Sequence, residues 1–323
     1  MYDYFMEKFV WQMFILGTGE YLSEALNKGL GGVIYFARDI NTKNQFIDLI
    51  KSHRQQALIP PFLSIDQEGG RVERTKNIHA GYLSQREAFN KGEDFLSGQA
   101  DKIGKELKEY GINLNFAPCA DVNTNPDNPI IGERAFSDNT EDVLKGTKIV
   151  SEKLRKNGII PCIKHYPGHG DADKDSHLTL PEIDLPFDKM LETHIKPFKI
   201  MSENNIEMIM AAHLHCSCFD KEIIPSSLSK NAIGYLRNTI GFDGVIISDD
   251  MVMKGVQGYG SFDAVMMGIE AGLDMFIYRD ADREIFETVE QVIKTAEKDE
   301  FLKNRIKESF ERIIALKQKY NLI

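Results

Sequence analysis

The chain has 323 residues, of which 42% are hydrophobic and 27% charged, and its formal net charge is −10. This composition is ordinary for a globular protein and excludes a disordered or collagen-like chain. Because an acidic chain without a basic patch binds phosphate backbones and anionic lipids poorly, we expect neither nucleic acid nor a membrane as a partner.

Four cysteines are too few for a disulfide scaffold in a chain of this size; they are Cys119, Cys162, Cys216 and Cys218. We expect free thiols that pack as small hydrophobic side chains, which is typical of a reducing compartment. The N-terminal segment lacks the basic residues and cleavage site of a secretory signal, and no apolar run approaches the roughly 20 residues of a membrane span. These patterns predict a cytoplasmic protein.

Short apolar runs, each followed by a polar or glycine-rich stretch, predict eight strands. In chain order they cover residues 12–17, 32–36, 61–66, 112–117, 160–164, 206–213, 244–249 and 273–278. Most are continuous rather than alternating, which is the pattern of parallel strands buried on both faces.

Helical patterns lie between these runs. The predicted helices are 101–110, 141–157 ending at Gly158, one capped by Ser229, 262–271 capped by Ser261 and ended by Gly272, and the C-terminal 301–320. The long stretch 67–111 is polar and glycine-bearing at first, so we expect a substantial loop there.

Eight strand–helix units predict an α/β fold, a single-domain (β/α)8 barrel of the TIM type over residues 1–323, with a C-terminal helix and room for irregular early strands. A doubly wound open sheet is the alternative. It normally carries a glycine-rich phosphate loop, and neither Gly17-Thr18-Gly19 nor Gly31-Gly32 completes such a fingerprint.

Polar residues stand at the C-terminal ends of several predicted strands. They are Asp66, Lys164, His165, His213, Asp249 and Asp250. Any one of them could be a helix cap or an ion-pair partner. In a barrel, however, these ends converge on the face that builds active sites, so together they favour one shared pocket.

The densest polar segment is 164–177, with three histidines and three aspartates among two glycines and a proline. It reads either as a solvated surface loop or as a mobile loop that carries titratable groups. The spacing Asp175-Ser176-His177 would let a carboxylate orient an imidazole and stabilise its protonated form.

Six ordered segments carry a family resemblance. They are Gly-Val-Ile-Tyr-Phe-Ala-Arg at 32–38, Ser-Ile-Asp-Gln-Glu-Gly-Gly-Arg-Val at 64–72, Ile-Gly-Glu-Arg-Ala-Phe at 131–136, Lys-His-Tyr-Pro-Gly-His-Gly with Asp-Ser-His at 164–177, Ile-Ser-Asp-Asp-Met-Val-Met-Lys-Gly at 247–255, and Ala-Gly-Leu-Asp-Met at 271–275. Together they resemble the β-N-acetylglucosaminidases of glycoside hydrolase family 3.

The resemblance implies roles for individual residues. Asp249 matches the catalytic nucleophile, His177 the general acid/base and Asp175 its orienting partner. The residues that match the binding of sugar hydroxyls are Asp66, Arg134, Lys164 and His165. No cofactor or metal is implied.

The implied activity is retaining, exo-acting hydrolysis that releases terminal β-linked N-acetylglucosamine through a covalent glycosyl-enzyme. The implied substrates are muropeptides in bacterial cell-wall recycling, or chito-oligosaccharides. The sequence leaves open the natural leaving group, water or phosphate as acceptor, the oligomeric state, and whether the loop at 168–178 is open or closed.

Four rival interpretations remain. A β-glucosidase-like or a phosphate-using member of the family is the nearest, although we expect the glucosidases to need a second domain, for which the 45 residues after position 278 leave little room. A metal-dependent barrel hydrolase would use His213-Leu214-His215 with the following cysteines, but their spacing is unusual for a metal site. A non-catalytic sugar-binding protein would need to lack a catalytic residue.

Overall fold

The computed structural model describes residues 2–172 and 180–323. The strands, in chain order, are β1 (Phe14–Leu16), β2 (Gly32–Tyr35), β3 (Phe62–Ile65), β4 (Gln67–Gly69), β5 (Val72–Glu73), β6 (Leu114–Asn115), β7 (Ile160–Tyr166), β8 (Glu182–Ile183), β9 (Met208–Ala211), β10 (His215–Cys216), β11 (Val245–Asp250) and β12 (Met275–Tyr278). The helices are α1 (Tyr2–Gln12), α2 (Leu22–Lys28), α3 (Lys43–Gln56), α4 (Gln85–Asn90), α5 (Glu93–Tyr110), α6 (Thr140–Lys156), α7 (Phe187–Lys189), α8 (Lys196–Glu203), α9 (Lys230–Gly234), α10 (Lys254–Gln257), α11 (Ser261–Ala271), α12 (Arg283–Ala296) and α13 (Glu300–Lys319). π-Helical turns, Met190–Ile195 and Tyr235–Thr239, join α7 to α8 and extend α9.

Eight parallel strands close into a barrel within the described residues, in the order β1-β12-β11-β9-β7-β6-β3-β2. The barrel closes because β1 pairs with β2 on one side and with β12 on the other. Each predicted strand is one of these eight, so the predicted barrel is confirmed and the open sheet is wrong. Since nearly every barrel-strand residue is buried, the continuous apolar runs reflect burial on both faces.

Two small sheets stand outside the barrel: an antiparallel hairpin of β4 and β5, and a parallel pair of β8 and β10. The stretch 67–111 contains the predicted loop, at residues 74–84, and also holds the hairpin, α4 and α5. Helix α5 begins at Glu93, eight residues before the predicted start at Asp101. Its first turn carries acidic residues that favour a helix N-terminus, although it offers few apolar positions to reveal the period.

Helix ends follow the expected chemistry with one exception. The Ser229 hydroxyl accepts a hydrogen bond from the main chain of α9, and Gly272 ends α11 with a φ of 117°. Ser261 was expected to cap α11, and this is wrong. Gly260 takes that position with positive φ, while Ser261 is already helical and donates its hydroxyl to Glu284.

The core lies between the barrel strands and the surrounding helices. Helix α1, which the apolar pattern did not predict, packs beside α12 and α13; Phe9 stacks on Phe310 and Trp11 contacts Phe286. Across residues 2–172 and 180–323, every helix is too short or too polar to cross a bilayer.

Candidate active site

The C-terminal ends of the barrel strands carry the polar residues of the site. Asp66 follows β3, Lys164 and His165 lie near the end of β7, and Asp249 lies near the end of β11. The pairing of β7 with β9 shifts register between Ile163 and Tyr166, and that of β11 with β12 shifts between Ile247 and Asp250. Irregularities of this kind change the direction in which side chains point, so Lys164, His165 and Asp249 lie where the regular strand pairing is interrupted.

Lys164 lies at the centre of a buried ion network. Its Nζ donates to Asp66 Oδ1 at 2.7 Å and lies 2.6 Å from Glu68 Oε1. Glu68 also accepts two hydrogen bonds from the guanidinium of Arg134, at 2.8 and 2.9 Å. Asp66, Lys164 and Arg134, which the sequence placed in the sugar site, are therefore held together by a fourth residue, Glu68.

Two buried cations, Lys164 and Arg134, face two carboxylates in this network, and the partly exposed Arg74 lies 3.5 Å from Asp66. Burial alone raises the pKa of Glu68, but the attraction of Arg134 and Lys164 outweighs it and holds that pKa well below its ordinary value. The pKa of Asp66 is lowered for the same reason, with Lys164 and Arg74 overcoming burial. Both carboxylates are therefore ionised at neutral pH, and Asp66, which is partly exposed, is suited to accept hydrogen bonds from sugar hydroxyl groups.

His165 is fixed by Asp121. Its Nδ1–H donates to Asp121 Oδ2 at 2.7 Å, and its Nε2 lies 3.3 Å from an Arg134 nitrogen. Asp121 also accepts the main-chain N–H of His169 at 2.6 Å. Burial raises the pKa of Asp121, but the charge and hydrogen bond of His165 lower it further than burial raises it. The carboxylate thus holds the imidazole in one orientation.

Two adjacent carboxylates end β11, and their environments differ. Asp249 is partly exposed and accepts the N–H of Asp250 at 2.7 Å. Burial acts to raise the pKa of Asp249, yet His165, His213 and the main-chain N–H lower it overall. Asp250 forms an ion pair with Arg279, but burial still raises its pKa. Asp249 is therefore ionised at neutral pH, while the carboxylate of Asp250 is engaged by Arg279.

Asp175 and His177, the predicted acid/base pair, lie outside the described residues. The chain that leads to them is closely packed. A Cβ added at Gly170 would overlap the main-chain oxygen of Val122, so this position requires glycine. His169, just before it, is buried, and burial lowers its pKa to about 4.

Sequence reasoning did not assign two residues of the site, Glu68 and Asp121. Glu68 stands in the quoted Asp-Gln-Glu motif, and Asp121 follows β6 as another polar residue after a strand. These two positions, one in a motif and one after a strand, are the sequence signals that could have identified Glu68 and Asp121 as site residues. His213, one of the strand-end residues predicted to share a pocket, lies close enough to Asp249 to lower that residue's pKa.

One group of described residues has the composition of a metal site. The ligand atoms of Cys119, Asp121 and His165 lie within 4.8 Å of one another. Direct hydrogen bonds already join them, since the Cys119 thiol donates to Asp121 at 3.1 Å and the His165 ring at 2.7 Å. His213 and His215 are separately engaged, the first with Ser227 and the second with the main chain.

A model of the glycosyl hydrolase family 3 N-terminal domain matches residues 17–316. Beta-hexosaminidase A of Pseudoalteromonas piscicida is 34% identical over 92% of this chain, and beta-hexosaminidase of Neisseria meningitidis serogroup C is 33% identical over 80% of it and 74% of its own length. A family 3 beta-N-acetylglucosaminidase from Paenibacillus sp. str. FPU-7 superposes over 98% of the chain with a TM-score of 0.92 and 29% identity. Beta-N-acetylhexosaminidase from Beutenbergia cavernae gives a TM-score of 0.89 at 25% identity, covering 97% of this chain and 98% of that one.

The shared length differs between these relatives. This chain spans 55% of the Pseudoalteromonas protein and 62% of the Paenibacillus structure. The common part is the barrel that carries the site described above.

Proposed function

The chain belongs to glycosyl hydrolase family 3, and we propose that it is a retaining, exo-acting β-N-acetylhexosaminidase that releases terminal β-linked N-acetylglucosamine. One observation carries the proposal: Asp66, Lys164 and Asp249 reach the same mouth from three different strands. Asp249 is ionised and partly exposed, as a nucleophile must be, whereas the carboxylate of Asp66 is engaged by Lys164 at 2.7 Å.

In this mechanism, Asp249 attacks the anomeric carbon and forms a covalent glycosyl-enzyme. His177, oriented by Asp175, protonates the leaving oxygen and then removes a proton from the attacking water. An imidazole suits both steps because its ordinary pKa of about 6.5 lies near neutrality. These two roles rest on the sequence resemblance, since both residues lie outside the described structure.

The ion network binds the sugar that is released. Asp66 accepts hydrogen bonds from hydroxyl groups, while Arg134 and Lys164 donate to sugar oxygens, and His165 is held in place to do either. The network is pre-organised, because every member is fixed by a partner before the substrate arrives.

Trapping tests the nucleophile. A 5-fluoro derivative of N-acetylglucosamine with a good leaving group should label the protein once, and fragmentation of the peptide from β11 should place the label on Asp249. Asp249→Asn should lose turnover by about 10³-fold or more and resist labelling. A label on Asp250, or full turnover in the variant, would refute the assignment.

Paired assays test the sugar and the acceptor. The 4-nitrophenyl β-N-acetylglucosaminide should be cleaved and the β-glucoside should not; the reverse ranking identifies a β-glucosidase. With phosphate present, free N-acetylglucosamine should be the product, because both cations of the described network are neutralised by carboxylates. Sugar 1-phosphate as the main product would make the chain a phosphorylase.

The biological role that we propose is cytoplasmic recycling of peptidoglycan fragments, with small carbohydrates as its partners. It is supported by the sequence resemblance. A muropeptide that carries N-acetylglucosamine on anhydro-N-acetylmuramic acid should give a higher kcat/KM than chitobiose. Equal values would remove the preference for wall fragments, and cell fractionation followed by immunoblotting tests the location.

A further inference from the structure

Two of the four cysteines lie side by side, away from the ion network. Cys216 and Cys218 have their Sγ atoms 3.3 Å apart. A turn brings them together, because the main-chain oxygen of Cys216 accepts the N–H groups of Phe219 and Asp220. At this separation only a small movement joins the two sulfurs in a disulfide bond.

The two thiols differ in access and in acidity. Cys216 is buried, whereas Cys218 is partly exposed. The hydrogen bond between them lowers the pKa of Cys218 and raises that of Cys216, so Cys218 is the more acidic of the two thiols. A partly exposed, more acidic thiol beside a buried resolving thiol is the arrangement of a redox-active pair.

The pair is joined to the strand that follows the predicted acid/base segment. Cys216 is opposite Ile183 of β8, the first described strand after residues 173–179. Between the cysteines, Ser217 donates its N–H to the Ile183 oxygen at 3.1 Å and its hydroxyl to Asp184 at 2.6 Å. A disulfide would close a small ring through the main chain of Ser217 and thereby reorient both donors.

We propose that Cys216 and Cys218 form a redox-active dithiol that a low-molecular-weight disulfide oxidises, and that closing it slows turnover by disturbing the β8–β10 pair. The effect on turnover rests on the proposed glycosidase function.

The chemistry balances with oxidised glutathione as the oxidant. The Cys218 thiolate attacks one sulfur, forms a mixed disulfide and releases a glutathione thiolate. Cys216 then loses its proton to solvent and attacks the Cys218 sulfur, releasing the second glutathione thiolate. Counted from the neutral dithiol, the protein loses two protons and two electrons, and these convert oxidised glutathione into two reduced molecules.

Mass analysis tests the dithiol without reference to activity. The reduced full chain is treated with oxidised glutathione, alkylated and digested without reductant. The peptide that carries both cysteines should lose the mass of two hydrogens as the disulfide forms. This oxidation should be about tenfold faster than the reaction of oxidised glutathione with the buried Cys119 or Cys162. Cys216→Ser should retain glutathione on Cys218, and Cys218→Ser should leave Cys216 unmodified. Stable glutathione on wild-type Cys218, or equal reaction at all four cysteines, would overturn the proposal.

Activity tests the consequence. Oxidation should lower the turnover of the wild type several-fold, and dithiothreitol should restore it. Cys218→Ser should have the same turnover before and after treatment, equal to that of the reduced wild type. Loss of turnover in Cys218→Ser, or no loss when the disulfide forms, would overturn the coupling to β8. Absence of turnover in the reduced wild type would refute the glycosidase instead, while the mass analysis still decides the dithiol.

Discussion

Replacing Glu68 by glutamine removes one negative charge from the buried ion network and keeps the shape of the side chain. Glu68 contacts Lys164 at 2.6 Å and Arg134 at 2.8 Å, and its side chain is 1% exposed. The variant leaves two buried cations with Asp66 as their remaining carboxylate in the network. Because removing one member of a buried pair typically costs about 3 to 5 kcal/mol, we expect Glu68→Gln to lower the free energy of unfolding by that amount.

The loss should depend on pH in a defined direction. The pKa of Glu68 in the folded protein is below its ordinary value of 4.5, so its stabilisation is present above that pH and is lost as the pH falls. The difference in unfolding free energy between wild type and variant should therefore be full at pH 7. It should narrow as the pH drops below about 4.5.

Urea unfolding at several pH values measures the stability, and steady-state kinetics with an aryl N-acetylglucosaminide measures the site. We expect kcat/KM to fall about 10²-fold, because Lys164 and Arg134 lose the group that positions them. Glu270→Gln is the matched control: its ion pair with Lys230 is exposed, and it should cost at most about 1 kcal/mol. If Glu68→Gln unfolds like the wild type and keeps its kcat/KM, the network does not organise the site.

Three further substitutions, with one control, test the core and the nucleophile. Lys317→Met should raise the free energy of unfolding at pH 7 by about 1 kcal/mol or more, because burial lowers the pKa of this lysine; the gain should vanish towards pH 10.5. Gly170→Ala should lower the free energy of unfolding by about 3 kcal/mol or more, because the added Cβ would overlap the main chain of Val122. Gly98→Ala is the control: this glycine lies on an open helix surface, and the substitution should raise the free energy of unfolding by about 0.5 to 1 kcal/mol. His213→Asn should raise the pKa of Asp249 and move the acidic limb of the kcat/KM profile to higher pH.

Each of these predictions has an outcome that would contradict it. If Lys317→Met is less stable than the wild type at every pH, the amine of Lys317 is charged in the folded protein and is stabilised by its hydrogen bond to Gln12 and by the ring of Phe62. Equal stability of the two glycine variants would remove the steric argument for Gly170. An unchanged acidic limb in His213→Asn would show that His213 does not act on the nucleophile.

The strands and their order were predictable from the sequence. Continuous apolar runs report burial on both faces, and alternation of strands with helices restricts the fold to very few arrangements. The barrel-rim positions of Asp66, Lys164 and Asp249 followed directly, because each comes at or near the end of such a run. Closure of the barrel was inferred from the number of units and is seen in the pairing of β1 with β12.

The partners of these residues were decided only in three dimensions. Glu68 meets Arg134 across 66 positions, and Asp121 meets His165 across 44, so no local pattern connects them. The surroundings of the buried lysines could not be predicted locally either, because Lys164 and Lys317 both lie near apolar residues in the sequence. The fold surrounds the first with carboxylates and the second with Gln12 and an aromatic ring.

Local sequence determined the strands, the helix ends and the presence of a polar rim, because periodicity and capping act within a few residues. Tertiary structure decided which charges neutralise one another and how the surroundings shift the pKa of each carboxylate. Those properties depend on distances of 3 Å or so between segments that only the closed barrel brings together.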